Sequence, residues 1–194
     1  MIRSLLSTWP LFFGLMLIMI GNGIQLILIG LRSSAAGYSN LLTGIMMGGY
    51  FLGIFIGSII VPKTLSQVGH IRTFGALAAI ASSSVLLHVI FTNPVAWTIL
   101  RTVTGFCYAG MYIIVESWLN EKATNETRGQ ILSIYMIITM GGLGAGQLIS
   151  GFDNGVSINF FLLASVLVSL AVVPVLISVA KAPNFEAPEL VSFR

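Results

Sequence analysis

Charge is scarce in this sequence. Only 8% of the 194 residues are Asp, Glu, Lys or Arg, where soluble domains carry roughly 25%. A soluble fold of this size has too few charges here to cover its surface. Lipid is the remaining solvent for a chain that is 56% hydrophobic. Cysteine is almost missing as well. Cys107 stands alone inside an apolar run, which excludes an internal disulfide and zinc sites of the usual Cys/His spacing. There is no paired His/Glu motif and no Ser-centred elbow, so no catalytic residues, metal or cofactor are expected, and the chain does not read as an enzyme. The net charge of +3 does not indicate nucleic acid, because nine basic residues spread between apolar runs make no phosphate-binding stripe.

What is present is a series of long apolar runs. A spanning helix needs about 20 mostly apolar residues to cross roughly 30 Å of hydrocarbon. Six stretches qualify: Trp9–Gly30, Leu41–Val61, Thr73–Phe91, Val95–Leu119, Ile131–Ser150 and Ile158–Val179. The turn chemistry lies between them, at Ser33–Ser39, Pro62–Arg72, Thr92–Pro94, Asn120–Gln130 and Gly151–Ser157. None alternates polar and apolar residues as a barrel strand does. The fold class is therefore an all-α membrane protein. The first run is too long for the apolar core of a secretory signal and reads as a retained span.

Lys and Arg gather on the cytoplasmic side of spans. With the amino terminus inside, the inner segments hold Arg3, Lys63, Arg72, Lys122, Arg128, Lys181 and Arg194, and the outer ones hold only Arg32. Both termini are then cytoplasmic. Two apparent motifs are set aside on this basis. Asn125-Glu126-Thr127 fits a glycosylation acceptor but falls on the inner side, and the glycines of 141–146 lie inside a span with no preceding strand.

Span two carries Gly49, Gly53 and Gly57 at four-residue spacing, on one face where another backbone can approach. Gly142 and Gly146 repeat the device in span five. Such contacts suit either sliding helices or tight static packing. In span four, Arg101, Gly105, Tyr108, Tyr112 and Glu116 fall on one helical face. An arginine inside a span costs roughly 2.5–3.5 kcal/mol on insertion scales, so this face should point at protein or water.

These residues carry a family resemblance. Arg101-x-x-x-Gly105 resembles the fourth-span motif of the major facilitator superfamily. Val115-Glu116-Ser117-Trp118 and Thr124-Asn125-Glu126-Thr127-Arg128-Gly129 are similar to the link between spans four and five in a bacterial branch of mostly uncharacterised transporters. Gly146-Gln147-Leu148 resembles its fifth span, and Pro62-Lys63 with Val68-Gly69-His70-Ile71-Arg72 its second loop. That loop usually has an acidic residue three positions before the glycine. Ser66 stands there, so only Gly69 and Arg72 are retained.

The resemblance implies a secondary transporter of a small solute in the bacterial inner membrane, working by alternating access. Its halves each have six spans, arranged as two inverted three-span repeats. Residues 1–181 correspond to the amino-terminal half, and 182–194 to the start of a cytoplasmic linker. The expected partners are the lipid bilayer, a solute of unspecified class, and a second half. That half is either a missing continuation, the preferred reading, or a second copy in a parallel homodimer. The alternative is a non-transporting partner, regulatory subunit or remnant.

Arg101 is the leading pathway residue, able to attract an anionic substrate or modulate a proton site; the plainer reading is an internal pair or bonds to carbonyls. Asn22 and Gln25, one turn apart in span one, should face the bundle. Tyr108, Tyr112, Tyr135, Thr139 and Gln147 are weaker candidates, as such residues in spans more often pack than bind. Glu116 lies roughly 22 Å along the helix from Arg101. It is expected either to gate by pairing with Arg128 or Lys122, or to be a solvated helix end. No carboxylate lies well inside a span, so any proton coupling needs the other half or Glu116. His88 is expected at the outer interface and His70 in a solvated loop.

Overall fold

A computed structural model describes residues 2–152 and 157–177, with side chains from Thr8 onward. The expected linker 182–194, Lys181, Arg194 and the end of the sixth run lie outside the described residues. Helices run α1 Ile2–Ala35, α2 Asn40–Val68, α3 His70–Ile90, α4 Pro94–Lys122, α5 Arg128–Ser150, α6 Asn159–Leu170 and α7 Val172–Leu176. Among the described residues, six helical stretches are long and apolar enough to cross a membrane, α6 and α7 together making the sixth.

Local chemistry sets the breaks. Ser39 caps α2 by accepting from Leu42 N, and Asn93 caps α4 by accepting from Ala96 N, with Pro94 in the first turn. Only Gly69 separates α2 from α3. Its φ of 87° and ψ of 164° are open to glycine and strained for other residues. The segment 62–72, expected as a loop, is therefore helical on both sides of one residue. Pro62 lies inside α2, which continues past it to Val68 although the ring leaves the Ser58 carbonyl without its usual N–H donor. At the other end Pro174 cannot donate to Leu170, which accounts for the interruption at Ala171.

Closely packed helix pairs fix the direction of every helix. Residues 49, 53 and 57 of α2 meet 98, 102 and 106 of α4 in rising order, and residues 142 and 146 of α5 meet 19 and 23 of α1, so both pairs are parallel. In contrast α3 meets α4 in falling order, from His70–Ser117 to His88–Trp97, and α6 meets α3 likewise at Ser165–Ser82 and Phe161–His88. α1 meets the sixth span in falling order too, Gly14 at Ala171 and Gly21 at Ala164, so α1, α3 and α5 point one way and α2, α4 and α6 the other. Lys63, Arg72, Lys122 and Arg128 collect at one end, called here the basic end. The main packing pairs are α1 with α5, α2 with α4, α3 with α4, α1 with α6, and α3 with α6. Moving each label on by three exchanges α1–α5 with α4–α2 and α3–α4 with α6–α1. This is the signature of two inverted three-helix repeats.

The two parallel crossings are closer than ordinary side chains allow. A Cβ on Gly49 would lie 2.7 Å from Thr98 O, and one on Gly57 2.8 Å from Phe106 O. Gly53 faces the Thr102 carbonyl, and Gly105 faces that of Tyr50 from the opposite side. In the other crossing Gly23 faces the Leu143 carbonyl, Gly142 faces Met19, and Gly146 faces the Ile20 carbonyl. In lipid, where apolar burial gives no net drive between helices, such contact supplies the packing energy. Gly53→Val places two methyl groups against backbone, and overpacking of this kind costs about 1–3 kcal/mol or more. The variant is expected to aggregate in mild detergent, whereas Gly44→Ala, which has open space around it, should elute as the parent does. Equal elution of both variants by size exclusion would rule out the close crossing.

Candidate functional site

The crossing of α2 and α4 presses the Tyr50 backbone against Gly105 and brings the Tyr50 ring under Arg101, whose guanidinium carbon is 4.5 Å from the ring centroid. Asn22, on α1, donates from Nδ2 to the Tyr50 hydroxyl at 3.0 Å and to the Tyr112 hydroxyl at 3.1 Å. The rings of Tyr50 and Tyr112 flank Tyr108, with centroids 6.1 and 6.0 Å away. Three helices thus converge on one polar cluster well inside the bundle. Gln25 lies one turn beyond Asn22, away from the basic end, as Arg101 lies one turn beyond Gly105 in the same direction.

Arg101 is 0% exposed, and neither Nε, Nη1 nor Nη2 has a hydrogen-bond partner among the described residues. The amide atoms of Gln25 and the hydroxyl of Tyr108 are likewise buried without a partner. Removing an ion from water costs several kcal/mol even after relaxation. A desolvated cation–π contact returns only about 2 kcal/mol. The charge of Arg101 is therefore incompletely compensated by the described residues. Their acidic members Glu116, Glu121 and Glu126 all lie toward or beyond the basic end of α4.

The remaining sequence candidates are elsewhere. Tyr135, on α5, donates to Glu116 Oε1 at 2.5 Å. Glu116 is exposed, and its bond goes to Tyr135 rather than to Lys122 or Arg128, which is exposed. This contact ties α4 to α5 near the basic end. Thr139 turns its hydroxyl to Tyr135 O, and Gln147 is half-buried on α5; neither joins the Asn22–Tyr50 network. Gly69 supplies the α2–α3 turn, and Arg72 is exposed in the first turn of α3. Among the described residues no group of three or more His, Cys, Asp or Glu could hold a metal.

Both histidine expectations need correction. His70 is buried, with Nε2 2.9 Å from Ser117 Oγ and its ring edge-on to Trp118. The loop assigned to it is helix, and its first turn packs on α4. His88 is fully buried and stacks on Phe161. Its Nδ1 is 2.7 Å from Ser84 O, and as a carbonyl only accepts, Nδ1 carries the proton there. Tyr50 is the member of the cluster that sequence reasoning missed. The available signal was its spacing, since Tyr50, Gly53 and Gly57 fall at i, i+3 and i+7 on the glycine face.

The sequence profile of the Major Facilitator Superfamily matches residues 11–191. The chain belongs to this superfamily. Uncharacterised MFS-type transporters of Yersinia enterocolitica and Yersinia pestis are 31% and 30% identical over 136 residues, covering 69% of the chain and 35% of each relative. The uncharacterised MFS-type transporter YcaD of Escherichia coli is 26% identical over 139 residues, covering 70% of the chain and 36% of its own length. The chain thus aligns with about a third of the length of these relatives. No solved structure matches it. The superfamily's six-span unit of paired inverted repeats is what the helix packing shows, and the chain is an integral membrane protein.

Asn22→Leu removes the donor that links α1 to the Tyr50 and Tyr112 hydroxyls. Interhelical hydrogen bonds in membranes average about 0.6 kcal/mol and reach about 1.7. The variant should lose stability within that range in denaturation by sodium dodecyl sulfate, while the exposed Ser83→Ala stays near the parent. An unchanged midpoint for Asn22→Leu would show that the network is not formed.

Proposed function

We propose that this chain is the amino-terminal six-span half of a secondary transporter that moves a small solute by alternating access. The cluster of Arg101, Tyr50, Asn22, Tyr108 and Tyr112 forms part of one wall of the pathway. That cluster carries the reading: intramembrane charge is costly, and it marks a solute or ion path by default. The smooth glycine crossings suit helices that shift against each other. The contact of Tyr135 with Glu116 lies where an inner gate would close. By the positive-inside rule the basic end is cytoplasmic, with the chain in a bacterial inner membrane.

A second six-span half supplies the facing wall, whether as a continuation of the chain or as a second copy. α2 and α5 are the least enclosed helices and expose Phe51, Phe55, Met136 and Met140. They are the faces for it to cover. A small solute is then handed between the halves as they rock.

The wall is testable without knowing the solute. Asn22→Cys in a Cys107→Ser background is expected to react with a membrane-impermeant maleimide in right-side-out and in inverted vesicles. Ala81→Cys, at a fully buried core position, should stay silent. Silence of Asn22→Cys from both sides would mean that the cluster is structural and that this chain lines no pathway.

A further inference from the structure

We propose that the cluster around Arg101 binds a small organic monoanion with a carboxylate head, and that this is the solute class of the pathway. The inference rests on reading the cluster as a pathway wall. Arg101 takes the charge, and Gln25 and Tyr108 supply further hydrogen bonds.

Three unsatisfied groups lie in this cluster or one turn from it. The guanidinium, the Gln25 amide and the Tyr108 hydroxyl are all 0% exposed, and all lack partners among the described residues. Elsewhere between helices Ser82 bonds Ser165 and Ser169, and Ser150 bonds Ile24 O, while His88 Nε2 and Trp118 Nε1 are single buried atoms without a partner among the described residues. At Arg101 all three guanidinium nitrogens are without one. A purely structural arginine would turn its N–H groups onto carbonyls or a carboxylate. This one presents donors instead.

The chemistry of the donors selects the ligand. A cation is excluded from the site by Arg101 itself, and no described carboxylate stands close enough to offset it. The planar guanidinium fork matches a carboxylate through two parallel N–H···O bonds. Arg101 is the one Lys or Arg placed deep within the described spans, so a second negative charge would be buried uncompensated at a cost of several kcal/mol. Monoanions are therefore taken over dianions. The rings of Tyr50, Tyr108 and Tyr112 make the surroundings of Arg101 aromatic rather than aqueous, which favours an organic anion over an inorganic one.

The test is protection of Asn22→Cys, in the Cys107→Ser background, from the same maleimide. Benzoate at roughly four times its dissociation constant should slow labelling about fivefold. Benzamide, benzylammonium and the dianion phthalate should slow it far less. Arg101→Gln should abolish protection by benzoate, and Arg101→Lys, which keeps the charge, should retain part of it. Calorimetry of benzoate with the unsubstituted chain in nanodiscs should show binding that benzamide does not. Absence of labelling from either side removes the wall reading and this inference together. Normal labelling that benzoate does not slow, that benzamide slows equally, or that stays protected in Arg101→Gln overturns the anion assignment alone. If Arg101→Gln does not accumulate, benzamide and benzylammonium still decide the sign of charge that the site accepts.

Discussion

The close approach of α2 to α4 is the contact on which the site depends. Gly49, Gly53 and Gly57 lie against the backbone of α4, and Gly105 returns the contact against Tyr50. Any side chain larger than hydrogen at Gly53 or Gly105 would push the helices apart. The Tyr50 ring would then leave Arg101, and its hydroxyl would leave Asn22. Backbone proximity, more than any single polar bond, decides whether a cation can be enclosed within the bundle. The crossing of α1 with α5 at Gly23, Gly142 and Gly146 is its counterpart in the inverted repeat. It holds α1 in place, with Asn22 within reach of the Tyr50 and Tyr112 hydroxyls.

Lipid makes this arrangement legible in energetic terms. In water an unpaired arginine would be hydrated at little cost, and its surroundings would say little about its purpose. Inside a bundle, each unsatisfied N–H has a price of several kcal/mol. The fold bears that cost at Arg101 while satisfying the serines between α3 and α6. A solute pathway accounts for the difference, because the solute completes the hydrogen bonds when it arrives and water does so when the pathway opens. The Glu116–Tyr135 contact, at the basic end and outside the cluster, fits a separate closing element.

Much of the fold was legible because lipid simplifies the code. Run length and composition were enough for six helices, and the inverted repeats followed from the family resemblance. Helix ends were less legible. Hydropathy reports where lipid stops, whereas α2 runs on through Pro62 to Val68 as a helix leaving the membrane. Of the site, Arg101, Asn22, Tyr108 and Tyr112 stood out as polar residues in apolar runs, and they come together. Gln25 is buried one turn along α1 from Asn22, without a hydrogen bond to the cluster. Tyr50 did not stand out, since a lone tyrosine among glycines looks like packing until the partner helix is known. His70 and His88 were misplaced for the same reason: burial at a helix end is set by the neighbouring helices, which no single run reveals.

The contact between Tyr50 and Arg101 is the most direct measure of the account, because it exists only if the glycine crossing is as close as described. A double-mutant cycle of Tyr50→Leu and Arg101→Met, read as unfolding free energy in detergent, isolates it. A favourable coupling of about 1–2 kcal/mol is predicted, the range for a desolvated cation over an aromatic face. Additive effects of the two substitutions would contradict the crossing, the enclosure of Arg101 by α2, and the site built on both.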